Sequence, residues 1–135
     1  MSFSVLMSIY KAEKPSYLTM SLNSVLNQTL QASEIIIVED GPLTTDLYAI
    51  LDEFESKNPI IRRLRLSENH GLKHCRYELV ARLDTDDIFK PNRFDVQVEF
   101  MEKNHELDVL GTWIDEFFDV KENVVSIRKV PEGSR

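Results

Sequence analysis

The stretch YELVARLDTDDIFKPNRF, Tyr77 to Phe94, sets a short apolar run against a knot of acid. Leu79, Val80, Ala81 and Leu83 are interrupted by Arg82 alone, the pattern of a strand covered on both faces. Asp84, Asp86 and Asp87 follow at once. Like charges this close cost free energy unless something positive sits among them. Oxygen donors suit hard cations such as Mg²⁺ or Mn²⁺, and Mg²⁺ is usually held by one or two carboxylates plus substrate phosphates. The acids also read as a helix N-cap and first turn ahead of Pro91, although a cap needs only one of them.

Outward from this stretch, two hydrophobic periods alternate. FSVLMSIY, Phe3 to Tyr10, is a buried strand, and EIIIVEDG, Glu34 to Gly41, is another, with four consecutive β-branched residues. Between them Pro15 suits a first helical turn, and Leu18, Leu22, Val25, Leu26 and Thr29 fall on one helical stripe. Leu47, Ile50, Leu51 and Phe54 make a second stripe, stopped near Pro59. IIRRLRLS is a weaker third strand and YELVARLD a fourth. The segment from Pro91 places Phe94, Val98 and Met101 on one face of a third helix. LDVLGTWI and VVSIRKV read as later strands.

Strand, helix, strand, helix, strand implies right-handed crossovers and a largely parallel sheet covered on both faces. Ligands bind such sheets outside the carboxyl ends of the strands. The first strand ends in Ser8-Ile9-Tyr10, the second in Glu39-Asp40-Gly41 and the fourth in Asp84-Thr85-Asp86-Asp87. Three separate segments thus bring an aromatic ring, a hydroxyl and several carboxylates to one edge. Taken singly, Tyr10 also reads as a core-edge residue and Glu39-Asp40-Gly41-Pro42 as a turn.

The whole chain is consistent with one domain. It has 135 residues, 42% hydrophobic and 29% charged, ordinary for a globular protein. A net charge of −7 and a pI near 5.0 argue against nucleic acid as a general partner. Cys75 has no partner for an internal disulfide and reads as an apolar filler. His70, His74 and His105 lack metal-ligand spacing and read as surface residues. Trp113, Asp115 and Glu116 read first as core and second as pocket lining. With no signal peptide and no apolar run of about 20 residues, the expected location is the cytoplasm. Peripheral contact with the inner face of the membrane is compatible with that location.

FSVLMSIY, EIIIVEDG and LDTDD with KPNR after it, in that order, resemble the nucleotide-binding half of a family 2 glycosyltransferase with the GT-A fold. The resemblance covers nearly the whole chain. It implies an α/β fold, a mostly parallel sheet flanked by helices in a Rossmann-like arrangement, as one nucleotide-sugar-binding domain over residues 1–135. The implied activity is transfer of a sugar, inverting in the family's manner, from a UDP-sugar to a glycan or lipid-linked acceptor during surface-polysaccharide synthesis. Ser8 and Tyr10 map onto the loop that contacts the nucleotide. Asp40, with Glu39 beside it, maps onto the acid that meets uracil. Asp84 maps onto the ribose contact, and Asp86 with Asp84 onto the Mn²⁺ or Mg²⁺ ligands.

The pattern departs from the family's in three places. The first loop reads Ser8-Ile9-Tyr10-Lys11 where the family has Pro-x-Tyr-Asn. Only SENHGLKHCR separates Leu66 from Tyr77, short for a parallel crossover, so residues are expected to be missing between Leu72 and Tyr77. The family's catalytic carboxylate has no counterpart, so the chain is expected to be truncated, with the general base beyond Arg135. The alternative functions are a non-catalytic sugar-nucleotide-binding module and a metal-dependent phosphohydrolase. The hydrolase places its Asp-x-Asp on the first strand, not the fourth.

Overall fold

Four strands, β1 (Ser4–Ile9), β2 (Glu34–Asp40), β3 (Ile61–Leu66) and β4 (Val80–Asp84), form one sheet in the order β3-β2-β1-β4. Every pairing in it is parallel. The computed structural model describes residues 2–66, 71–110, 114–117 and 124–128. The expected α/β class is therefore what the chain adopts. The central strands are apolar on both faces because both faces are covered. Val5, Met7, Ile9, Ile35 and Ile37 are buried on one face, and Leu6, Ile36 and Val38 on the other.

Two helices cover the first face. α1 (Pro15–Leu26) opens on Pro15 and buries Leu18, Leu22 and Val25. The stripe ends there. Thr29, expected on it, lies past the helix and is exposed. α2 (Thr45–Lys57) starts where the Thr44 hydroxyl accepts the Leu47 amide at 3.3 Å, and it buries Leu47 and Leu51. α3 (Arg93–Lys103) follows the acidic stretch. The chain divides into two compact units, Met1–Val96 and Gln97–Arg135. In the second, β5 (Ile114–Phe117) pairs antiparallel with β6 (Val124–Arg128).

Two strand boundaries differ from expectation. LDVLGTWI was expected as a strand, but Leu107 to Leu110 are outside any strand and β5 begins at Ile114. YELVARLD was expected as β4 from Tyr77, but β4 starts at Val80, where its pairing with β1 begins opposite Ser4, the first residue of that strand. The Ser4 amide donates to the Leu79 carbonyl at 2.9 Å, and the Tyr77 amide to the Ser4 hydroxyl at 3.4 Å.

From β3 the chain returns across the sheet to pair with β1 on its far side. The described part of this return, residues 71–79, begins as a 3-10 turn, Gly71–His74, and packs on the second face. Leu64, Cys75 and Val80 surround the Leu6, Ile36 and Val38 cluster there. Gly71 makes this close approach feasible. A Cβ at Gly71 would stand 2.7 Å from Val38 and 2.8 Å from Leu6. Buried Glu34 secures the far end: its Oε1 accepts the Ser4 hydroxyl at 3.1 Å and the Arg76 amide at 2.7 Å.

Candidate functional site

β1 lies between strands whose connections run in opposite directions, to β2 on one side and to β4 on the other. That reversal opens a crevice at the carboxyl ends of β1 and β4, where open α/β sheets bind ligands. Ser8 and Asp84 are register partners across it. Ser8 is half-buried, and Tyr10, just past the strand, is 55% exposed. Asp84, Asp86 and Asp87 are all exposed, and one carboxylate oxygen from each lies within 4.8 Å of the others. Among the described residues this is the one acidic cluster with metal-ligand proximity. Its donors are all oxygen and all reachable from solvent, as a hard divalent cation shared with phosphates requires.

The acidic stretch is held from beneath by polar side chains of α1, and of Gln28 just past its end, that the sequence reading passed over. The Ser21 hydroxyl donates to the Asp84 carbonyl at 3.4 Å, and Ser24 Oγ accepts the Phe89 amide at 3.1 Å. Gln28 is 3% exposed and does more. Its Nε2 donates to the Lys90 carbonyl at 2.7 Å, while its Oε1 accepts the Phe94 amide at 3.0 Å. Phe94 stands in the first turn of α3, where amides lack intrahelical partners, so Gln28, two residues past the end of α1, caps α3 from outside. The only sequence sign was three polar residues, Ser21, Ser24 and Gln28, at helical spacing beside the apolar stripe.

An aromatic chain completes the support. Phe3 meets Phe94 edge-on at 5.1 Å, and Phe94 meets Phe89 at 5.3 Å. The Arg93 guanidinium lies 3.6 Å from the Phe89 ring centroid. Burial lowers the pKa of Arg93, and the charge of Asp87 opposes that shift. Even so it remains a cation, set beside an acidic cluster.

Glu13 joins the two sides of the crevice. Its Oε2 accepts the Thr85 hydroxyl at 2.6 Å, and its own amide donates to the Tyr10 carbonyl at 3.1 Å.

The acids at the end of β2 part company. Asp40 is exposed at the strand end, ahead of Gly41, whose φ of +80° turns the chain away. Glu39 is 2% exposed and points elsewhere. Its carboxylate sits 3.0 Å from Arg63 and 3.5 Å from Arg65, in a cluster with Tyr48, Asp52 and Glu55 of α2. Strand alternation explains the split: neighbouring residues face opposite ways. The structure thus brings Ser8, Tyr10, Asp84 and Asp86 to one crevice, places Asp40 one strand away, and commits Glu39 to an ion pair. Trp113 and His70 lie outside the described residues, as do the side chains of Asp115 and Glu116. His74 and His105 are exposed, and Cys75 is half-buried.

Comparison with known proteins gives consistent results. The family model described as glycosyl transferase family 2 matches residues 4–134. An uncharacterized glycosyltransferase of Haemophilus influenzae is 42% identical over 142 positions, covering 100% of this chain and 53% of that protein. Those 142 positions exceed the 135 residues here, so at least seven positions of that relative have no counterpart in this chain. A UDP-Gal:alpha-D-GlcNAc-diphosphoundecaprenol beta-1,3-galactosyltransferase of Escherichia coli is 35% identical over 96% of this chain and 50% of its own length. The chain spans about half the length of the curated relatives it matches. Among solved structures, S. aureus TarS 1–349 in complex with UDP-GlcNAc superposes with a TM-score of 0.66 at 25% identity, over 78% of this chain and 32% of that one.

Proposed function

The chain belongs to glycosyltransferase family 2, and from that membership we propose that residues 1–135 are the nucleotide-sugar-binding part of an enzyme of surface-polysaccharide synthesis. The donor is a UDP-sugar and the acceptor a glycan or lipid-linked saccharide. The observation that carries this reading is the acidic cluster at the reversal between β1 and β4. The relatives add support: one is named for a UDP-Gal donor and a diphosphoundecaprenol acceptor, and TarS was solved with UDP-GlcNAc.

In this reading Asp86 and Asp84 hold Mn²⁺ or Mg²⁺. The bound ion would neutralise charge developing on a nucleoside-diphosphate leaving group. Asp84 also meets the ribose. Tyr10 offers an exposed aromatic wall to the base. Asp40 accepts the imide N–H of uracil, a donor that cytosine lacks. Ser8 lines the crevice beside Asp84. Glu39, first grouped with these residues, would act through the sheet edge and not at the ligand. A carboxylate beyond Arg135 deprotonates the acceptor, and transfer inverts the anomeric centre. No helix among the described residues is long and apolar enough to cross a membrane. We place the protein in the cytoplasm, peripheral to the membrane that carries its acceptor.

The test is calorimetric titration of UDP with Mn²⁺ and with chelator. UDP is expected to bind at least about tenfold more tightly with Mn²⁺, and Asp86→Asn to remove most of that gain. Equal affinity with and without the ion refutes the assignment.

A further inference from the structure

We infer that Glu13 is a positioning residue that locks the Tyr10 loop to the Asp84–Asp87 loop through the Thr85 hydroxyl, so that the two walls of the nucleotide crevice move as one body. This rests on the nucleotide-binding reading of the crevice. Thr85 is the middle residue of Asp-x-Asp, in the turn that follows β4, and it is buried while Asp84 and Asp86 are exposed. It is 2% exposed, a buried hydroxyl that has to find a partner. Its Oγ1 donates to Glu13 Oε2 at 2.6 Å and lies 3.4 Å from the Ser8 carbonyl. The shorter contact is charge-assisted, and such bonds are the strong ones.

Glu13 is tied on its other side as well. Its amide donates to the Tyr10 carbonyl at 3.1 Å, and its Oε1 accepts the Lys14 amide at 3.0 Å. One residue thus closes the turn that presents Tyr10 with its backbone amide and grips the residue between Asp84 and Asp86 with its carboxylate. The bond spans 72 positions of sequence. Glu13 is not one of the clustered acids, Asp84, Asp86 and Asp87, whose oxygens approach within 4.8 Å. Its role is therefore to orient and not to ligate. The other polar support of this loop, Ser21 and Ser24 of α1 and Gln28 just past its end, reaches only the backbone of residues 84–94. Glu13 alone among them connects the acidic loop to Tyr10.

Positioning and ligation predict different effects from the same substitutions. Glu13→Gln keeps an oxygen that accepts from Thr85 and loses the charge. Glu13→Ala and Thr85→Val lose the bond. The measurements are Mn²⁺-dependent UDP affinity and, without nucleotide, amide hydrogen exchange. Glu13→Ala and Thr85→Val are expected to weaken Mn²⁺-dependent UDP binding roughly tenfold each, and the double variant no more than either single one. Glu13→Gln should stay within about threefold of the parent. The Glu13 and Asp87 amides, bonded to the Tyr10 and Asp84 carbonyls, should exchange faster in Glu13→Ala and Thr85→Val, while the Met7 amide within β1 stays protected. Exchange unchanged at Glu13 and Asp87 overturns the inference, as does Glu13→Gln proving as harmful as Glu13→Ala. A parent protein that binds no UDP refutes the nucleotide reading instead, and the exchange comparison then decides the coupling alone.

Discussion

Replacing Gln28 by leucine tests how the acidic loop is seated. The side chain is 3% exposed, so an isosteric apolar residue keeps the packing and removes only the polar contacts. Oε1 no longer accepts the Phe94 amide, and Nε2 no longer reaches the Lys90 carbonyl. Phe94 is 1% exposed, so its amide has no water to turn to. A buried donor left unsatisfied costs about 1–3 kcal/mol. Lys90's carbonyl keeps the Arg93 amide at 3.1 Å, so its loss is smaller, about 1 kcal/mol. The sum is roughly 2–4 kcal/mol, a large share of the 5–15 kcal/mol typical of a domain. At about 0.3 kcal/mol per kelvin for a chain of this size, the melting temperature should fall by about 7–14 °C. Gln31→Leu is the matched control. Gln31 is exposed and its amide donates only to nearby Leu26 and Gln28 carbonyls, so its replacement should cost under about 1 kcal/mol. Urea titration followed by circular dichroism reads both variants. Equal stability of Gln28→Leu and Gln31→Leu would refute the argument that Gln28 caps α3 from outside.

Asp40→Ala should weaken UDP by about 1.5–3 kcal/mol while leaving pyrophosphate affinity nearly unchanged; competition titrations with both ligands would place Asp40 at the phosphates if both weaken alike. Gly71→Ala should destabilise by about 1–3 kcal/mol, because its Cβ would press on Val38 and Leu6 within a packed cluster; a denaturation midpoint equal to the parent's would show that the return across the sheet yields easily. Burial, helped by the charge of Glu34, raises the pKa of the Cys75 thiol. The thiolate is the reactive form, so at pH 8 Cys75 should react with a disulfide reagent more slowly than a small free thiol. Its rate should rise only above the usual thiol range. Matching rates at pH 8 would mean that the thiol is effectively exposed.

The sheet and the crevice were legible because their causes are local in sequence. Apolar runs such as Val5–Met7 and Ile35–Val38 declare strands buried on both faces, and alternation with amphipathic helices leaves few topologies. Once the strands are parallel, their carboxyl ends share an edge, which is why Ser8, Tyr10, Asp84 and Asp86 were found together. Boundaries were less legible. The start of β4 depends on where Ser4 finds its partners, and Ser4 lies 73 residues from Tyr77.

Glu39 and Asp40 mark the limit most sharply. By composition they are adjacent acids at a strand end, interchangeable on paper. Only the tertiary structure supplies Arg63 and Arg65 on the neighbouring strand to take one of them, leaving the other exposed. Likewise, nothing in the sequence ties Gln28 to Phe94 or Glu13 to Thr85, because a long-range hydrogen bond leaves no periodicity behind. The sequence by itself determined which segments are strands and helices and which acids meet at the edge, since hydrophobic period and backbone alternation act over a few residues. The tertiary structure decided which acid faces solvent, which is neutralised, and what holds the acidic loop in place, since those depend on partners brought close only when the chain has crossed the sheet.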